Sequence, residues 1–150
     1  MQTEDYGSVL VHFEGGIQGV FTISQVSAGR KNLLFFEIAA DRGSMAWNQE
    51  APNSLWIGQR DQANQELSAD PRLLSKSAAE LSHYPGGHQE GWPDALKNML
   101  IDYYSAIRNK EANASSERRS FADFEDGHGV MKVIDAILES HRMQRWVNIQ

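Results

Sequence analysis

Between residues 83 and 96 the chain reads HYPGGHQEGWPDAL, and within it His88, Glu90 and Trp92 are set two apart. Each brings a different chemistry. An imidazole donates or accepts a hydrogen bond near neutral pH. A carboxylate accepts from hydroxyls, and an indole stacks on C–H faces while its N–H donates. Three glycines in the stretch permit positive φ and close backbone approach. Together these suit a pocket for a polar molecule with an apolar face, such as a sugar. Competing readings stay open. Trp92 falls on a helix stripe where core packing would use it, and His88 and Glu90 fit solvent as well as a ligand. A second candidate is SAGRKN, where Arg30 and Lys31 can clamp a polar ligand or form a solvated turn.

Other chemistries are weaker. EDGHGVMK holds a Gly-x-Gly, yet Lys132 stands where the third glycine of a dinucleotide fingerprint is needed, and no strand precedes it. GGIQG is a hairpin turn. The histidines, His12, His83, His88, His128 and His141, never take the His-x-x-x-His spacing that puts two imidazoles on one helical face. His83, His88 and Glu90 converge on a metal only if the loop folds back, so no metal is expected. No serine lies in a Gly-x-Ser-x-Gly turn. Glu90 and Asp94 are a possible carboxylate pair for glycoside hydrolysis, but sequence spacing does not give the separation that chemistry needs.

The elements that would position these residues change character along the chain. SVLVHFE, Gly15-Gly16 and IQGVFTISQV read as a hairpin with a two-glycine turn. NLLFFEIAA, a turn at Asp41-Arg42-Gly43, and SMAWNQE read as a second hairpin, and NSLWIGQR as a fifth strand. In the first strand Val9, Val11 and Phe13 oppose Leu10; in the third, Leu33 and Phe35 oppose Leu34, Phe36 and Ile38. A sheet with one wet face should alternate, so the mixed faces suggest a sheet covered on both sides. Residues 61–91 are polar and turn-rich, with a short helix around LLSKSAAEL. From Trp92 the apolar residues Ala95, Leu96, Met99, Leu100, Tyr103, Tyr104 and Ile107 repeat with helical spacing. Pro93 suits a first turn and Asp94 its positive end. A last helix should start with Asp123 as N-cap and bury Val130, Ile134, Ile137 and Leu138. Gly127 and Gly129 would each cost it about 1 kcal/mol, which predicts a close neighbour. WVNI reads as a final short strand.

Strands first and helices late make the fold α+β. With 150 residues the chain has a one-domain length. A net charge of -6 disfavours nucleic acid or an anionic membrane as partner. Absence of cysteine excludes disulfides and thiolate metal sites. No apolar run approaches the ~20 residues of a membrane helix, and no signal-peptide pattern opens the chain, so a cytoplasmic setting is expected.

Four pieces in order carry a resemblance: EDYGSVLVHFEGGIQGVFTISQVSAGRKN, EIAADRGSMAWNQEAPNSLWIG, PGGHQEGWPDALKN and FADFEDGHGVMKVIDAILESHRMQRWVNI. Together they resemble the C-terminal domain of the glucose–fructose oxidoreductase / inositol dehydrogenase (Gfo/Idh/MocA) family, from about Thr3 to Ile149. The most telling are Gly-Ser-x-x-Trp at 43–47, the GGHQEGW loop and the FEDGH helix start. The resemblance implies a dihydrodipicolinate-reductase-like α+β domain: a large, mostly antiparallel sheet with helices packed on one face and the other face open to subunit or domain contact. It implies residues 1–150 as one substrate-binding and oligomerisation domain, with the Rossmann domain that binds NAD or NADP lying outside this chain. Hydride transfer between nicotinamide and a sugar, inositol or related polyol is the implied reaction. The family's Glu-Lys-Pro lysine and Asp-x-x-x-His pair are absent from these residues. The chain alone is therefore expected to bind no cofactor and to carry no catalytic residue. Its expected contribution is a substrate pocket built from His88, Glu90, Trp92, Arg30 and Lys31, plus self-association through the sheet. The alternative is a non-catalytic dimerisation or small-ligand-binding module that retains the fold.

Overall fold

A computed structural model describes residues 4–111 and 121–149, which gather into two compact units, Met1–Arg30 with Ala122–Gln150 and Lys31–Phe121. The class is α+β, and every strand pairing is antiparallel.

In the first unit, β1 (Tyr6–His12) pairs with β2 (Gln18–Ser24) in a hairpin. Gly15 and Gly16, at φ 78° and 82°, make the turn that Phe13 closes by donating its N–H to Ile17 O at 2.8 Å. Both positions lie in the left-handed region, which is why the turn is glycine. The register sets Val9 opposite Phe21 and Gly7 opposite Ile23 on one face. On the other, hydroxyls run from Tyr6 to Ser8 and Ser8 to Thr22, each at 3.0 Å, beside Leu10 and Val20. Apolar residues do occupy both faces of this hairpin.

The long helix of this unit, Phe124–Met143, opens as its sequence predicts. Asp123 accepts from the N–H groups of Glu125 and Asp126, and the Asp126 carboxylate accepts from the N–H of Asp123. This reciprocal box satisfies donors that a helix start leaves orphaned. At the other end Gln144 turns left-handed (φ 53°) and Ser140 Oγ donates to Arg145 O at 2.7 Å. Three expectations fail here. The stripe Val130, Ile134, Ile137 and Leu138 is not buried, with Val130 58% exposed, Ile134 42% and Leu138 44%. Among the described residues no close neighbour explains Gly127 and Gly129, where an added Cβ would meet nothing within 4 Å. WVNI forms no strand, because the Ser140–Arg145 cap folds the chain back on the helix end and the Trp146 ring stacks on His12 at 4.3 Å.

In the second unit four strands, β3 (Phe35–Ala39), β4 (Gly43–Asn48), β5 (Ser54–Gln59) and β6 (Gln65–Ser68), follow one another as neighbours. β6 escaped the sequence reading because QELS has no apolar pattern. Leu33 and Leu34 fall ahead of β3, and within the strand Phe35 and Glu37 oppose Phe36 and Ile38. Phe36, Trp47, Leu55 and Leu67 form one cross-strand row, and Ile38, Met45 and Ile57 the next, on a single face. The opposite face carries Glu37, Ala46, Trp56 and Glu66 in register. This sheet therefore has one apolar side and one mixed side, where Phe35 and Trp56 lie among Glu37, Asn48 and Glu66.

The Gly-Ser-x-x-Trp signature owes its residues to that geometry. A Cβ on Gly43 would stand 2.6 Å from Gly58 O, so the two backbones approach as only glycine allows. The Trp47 indole donates to Pro52 O at 3.0 Å, fastening the β4–β5 turn. Gly58, under the Trp56 ring, is buried. Among the described residues no apolar side chain is buried: Phe36 is 43% exposed and Ile38 57%.

Among the described residues the rest of this unit is two helices and the loops that lead into them. The α1 helix (Lys76–Ala79) is capped by Ser75, the α2 helix spans Trp92–Glu111, and the Phe124–Met143 helix of the first unit is α3. Among the described residues no helix is long and apolar enough to cross a membrane.

Candidate functional site

The loop from Ser82 to Gly91 runs from α1 into α2, and a carboxylate organises it from within. Glu90 Oε1 accepts from the N–H of His83 at 2.6 Å, the N–H of Tyr84 at 2.9 Å and Ser82 Oγ at 3.1 Å. Consecutive N–H groups turned to one point form a concave anion seat, and the chain fills it with its own side chain. Burial raises the Glu90 pKa, and the nearby Asp94 adds to that. The two backbone donors and the Ser82 hydroxyl outweigh both, leaving the group below its ordinary value.

A second clamp comes from the start of β5. Asn53 Nδ2 donates to His88 O at 2.7 Å, and its Oδ1 accepts the N–H of Glu90 at 3.4 Å. One side chain thereby fixes the backbone on both sides of Gln89. The turn before it is closed by His88 N–H to Pro85 O at 3.2 Å, with Gly87 at φ 84°. Gly86 has no room for a Cβ, which would sit 2.8 Å from Asp70 Oδ2. Arg72 holds that Asp70 in place by a paired contact of 2.8 and 3.2 Å, and the guanidinium keeps the carboxyl below its usual range. The α2 helix then begins, with Asp94 accepting the N–H of Gly91 at 3.0 Å.

The predicted residues fare differently. His88 and Glu90 are brought together by Asn53 on one loop. The His88 ring Nδ1 lies 3.2 Å from Pro85 O, a partner that accepts only, so Nδ1 carries a proton and in the neutral ring Nε2 is the acceptor. Glu90 spends Oε1 on the loop backbone, which leaves Oε2 for other partners. Trp92 is not core-packed. It is 67% exposed at the first residue of α2, bordering a groove of 710 Å³ with Leu96, Leu100 and Tyr104. That groove is almost wholly apolar and includes neither His88 nor Glu90. Arg30 closes a turn by donating its N–H to Ser27 O at 3.3 Å and ends the first of the two segments of the first unit, while the exposed Lys31 begins the second unit. Asn53, Ser82 and Asn98 were missed by the sequence reading. Asn53 follows a proline and reads as a turn residue, and Asn98 is a lone polar side chain among helix positions.

Among the described residues, no group of three or more His, Asp and Glu side chains is placed to hold a metal. Nor do the described residues form a Rossmann cradle for a nicotinamide dinucleotide. The Rossmann cradle for such a group is a strand leading through a glycine turn into a helix beside a parallel strand. Here every pairing is antiparallel and Gly127 and Gly129 lie inside α3.

No protein-family model matches the chain. The chain is 29% identical over 159 aligned positions to levoglucosan dehydrogenase of Pseudarthrobacter phenanthrenivorans, covering 99% of this chain and 37% of that protein. In structure it matches an oxidoreductase from Sinorhizobium meliloti with a TM-score of 0.90 and 27% identity, over 99% of this chain and 42% of the other. An inositol dehydrogenase homologue from Azotobacter vinelandii, complexed with NADH and myo-inositol, matches with a TM-score of 0.70 and 28% identity, over 73% of this chain and 29% of the other. The chain thus spans well under half the length of these proteins, and its resemblance to the C-terminal domain of the Gfo/Idh/MocA family holds.

Proposed function

We propose that this chain is the C-terminal, substrate-pocket and assembly domain of an NAD(P)-dependent oxidoreductase acting on a sugar, inositol or related polyol. It works with a nucleotide-binding domain that holds the nicotinamide and supplies the proton-transfer groups. The observation that carries this reading is the loop from Ser82 to Gly91, clamped at Asn53 and Glu90, on a fold shared with sugar and inositol dehydrogenases. Its task is orientation. His88 Nε2 accepts a hydrogen bond from one hydroxyl, Glu90 Oε2 accepts one from another, and Trp92 offers an apolar ring to the C–H face of the ligand. Lys31 is proposed to reach the same ligand. Hydride transfer requires donor and acceptor at reacting distance, so these residues act on binding and alignment and the chain by itself turns nothing over.

The apolar row Phe36, Trp47, Leu55 and Leu67 supports self-association through the sheet, since its half-exposed Phe36 and Leu67 seek a cover. A cytoplasmic setting, where soluble nicotinamide cofactors are available, fits this role.

The test is an amide NMR titration of the chain with myo-inositol and with levoglucosan. Shifts concentrated in residues 83–92 support the pocket. Shifts elsewhere, or none at saturating polyol, refute it and favour the non-catalytic dimerisation module.

A further inference from the structure

Next to the proposed pocket is a second imidazole with a defined tautomer. Asn98 on α2 donates Nδ2 to Leu81 O at 2.7 Å. A carbonyl accepts only, so this bond fixes which end of the amide is nitrogen. Oδ1 is thereby turned to His83 Nε2, 2.5 Å away. Facing an acceptor at that distance, Nε2 must carry a proton. In the neutral ring Nδ1 is then a bare lone pair. Among the described residues Nδ1 has no hydrogen-bond partner, and the side chain is exposed. The residue is also held from behind, since its N–H is the shortest of the three bonds to Glu90. A side chain pinned at both ring and backbone, with its remaining nitrogen aimed at solvent, is preorganised to accept a hydrogen bond.

We propose that His83 is a further substrate-binding residue of the site, its Nδ1 accepting a hydroxyl of the polyol, with Asn98 and Glu90 as positioning residues. This rests on the reading of the Ser82–Gly91 loop as a polyol pocket. It also supplies a specificity element: Nδ1 accepts and cannot donate, so it selects a hydroxyl over an ether or carbonyl oxygen at that position.

Long-range ¹H–¹⁵N spectra of the imidazoles, recorded on the whole chain above pH 7.5 with and without myo-inositol, test both parts. Expected are an Nε2–H tautomer in the free protein and a displaced His83 Nδ1 resonance on adding the polyol. An Nδ1–H tautomer overturns the inference. So does a titration in which loop amides move and His83 Nδ1 does not, which leaves the pocket standing. If no resonance moves, the pocket reading fails and this inference with it. Two variants separate binding from positioning. His83→Asn keeps a polar atom near Nδ1, and His83→Gln keeps one near Nε2. With amide spectra confirming the fold, myo-inositol affinity should stay within about threefold in His83→Asn and fall about tenfold in His83→Gln. The reverse order, or equal losses, makes the residue merely structural and overturns the proposal.

Discussion

Replacing Glu90 is the most direct probe of how the loop is held. Its Oε1 takes two backbone N–H donors and one hydroxyl, at 2.6, 2.9 and 3.1 Å. Bonds to an ionised acceptor are the stronger kind, yet this loop is largely exposed and freed donors regain water. We therefore assign about 1 kcal/mol to each backbone bond and little to the hydroxyl, a loss of about 2 kcal/mol in Glu90→Ala. Amide hydrogen exchange reads it directly: His83 and Tyr84 should exchange about thirtyfold faster, with the β4–β5 amides unchanged. Glu90→Gln keeps the oxygen and drops the charge, so about fivefold is expected there. The same bonds set a pH dependence. The folded-state pKa lies below the unfolded value, so their contribution is complete above the unfolded value and lost as pH falls through the folded one. Intrinsic-rate-corrected protection of His83 and Tyr84 should thus hold at neutral pH and decline only in acid. Unchanged protection in Glu90→Ala, or protection that weakens as pH rises towards neutral, would refute the staple.

Asn53→Ala removes the clamp on His88 O and Glu90 N–H and should cost about 1 kcal/mol locally. Faster ¹⁵N relaxation at His88 and Gln89, with a several-fold weaker polyol affinity, is the expected outcome. Asp123→Ala deletes the N-cap and half of the capping box of α3 and should lower stability by about 1 kcal/mol in urea unfolding. Gly58→Ala forces a Cβ to within 2.4 Å of the Trp56 ring and 2.5 Å of Ser44 Oγ. It should destabilise by about 1–3 kcal/mol, visible as a lower urea midpoint and an altered Trp56 emission.

The fold was legible where chemistry is local. Gly15-Gly16 announces a turn because few residues accept positive φ, and Asp123 announces a helix because its carboxylate reaches its own backbone. β6 was not legible, since Gln65–Ser68 pairs through backbone groups that every residue shares. The last residues misled in the opposite way: WVNI has strand propensity, but a Ser140 hydroxyl and a His12 ring decide its course. In the site, the loop and its His88 and Glu90 stood out by residue type. Asn53 and Asn98 did not, because an amide that clamps a loop 35 positions away looks in sequence like any polar surface residue. The partition of Glu90 between its two oxygens belongs to three dimensions only.

The two margins of the four-stranded sheet are unlike, and that asymmetry governs how it can grow. β6 is four residues long and carries Glu66 at its rim, a poor template for a further ribbon. At the far rim β3 offers Phe35–Ala39, hydrogen-bonded along one flank only among the described residues. Accretion of another chain by backbone pairing would therefore proceed from the β3 rim outward, so a single lysine introduced at Ile38 or Phe36 is where solubility engineering should begin.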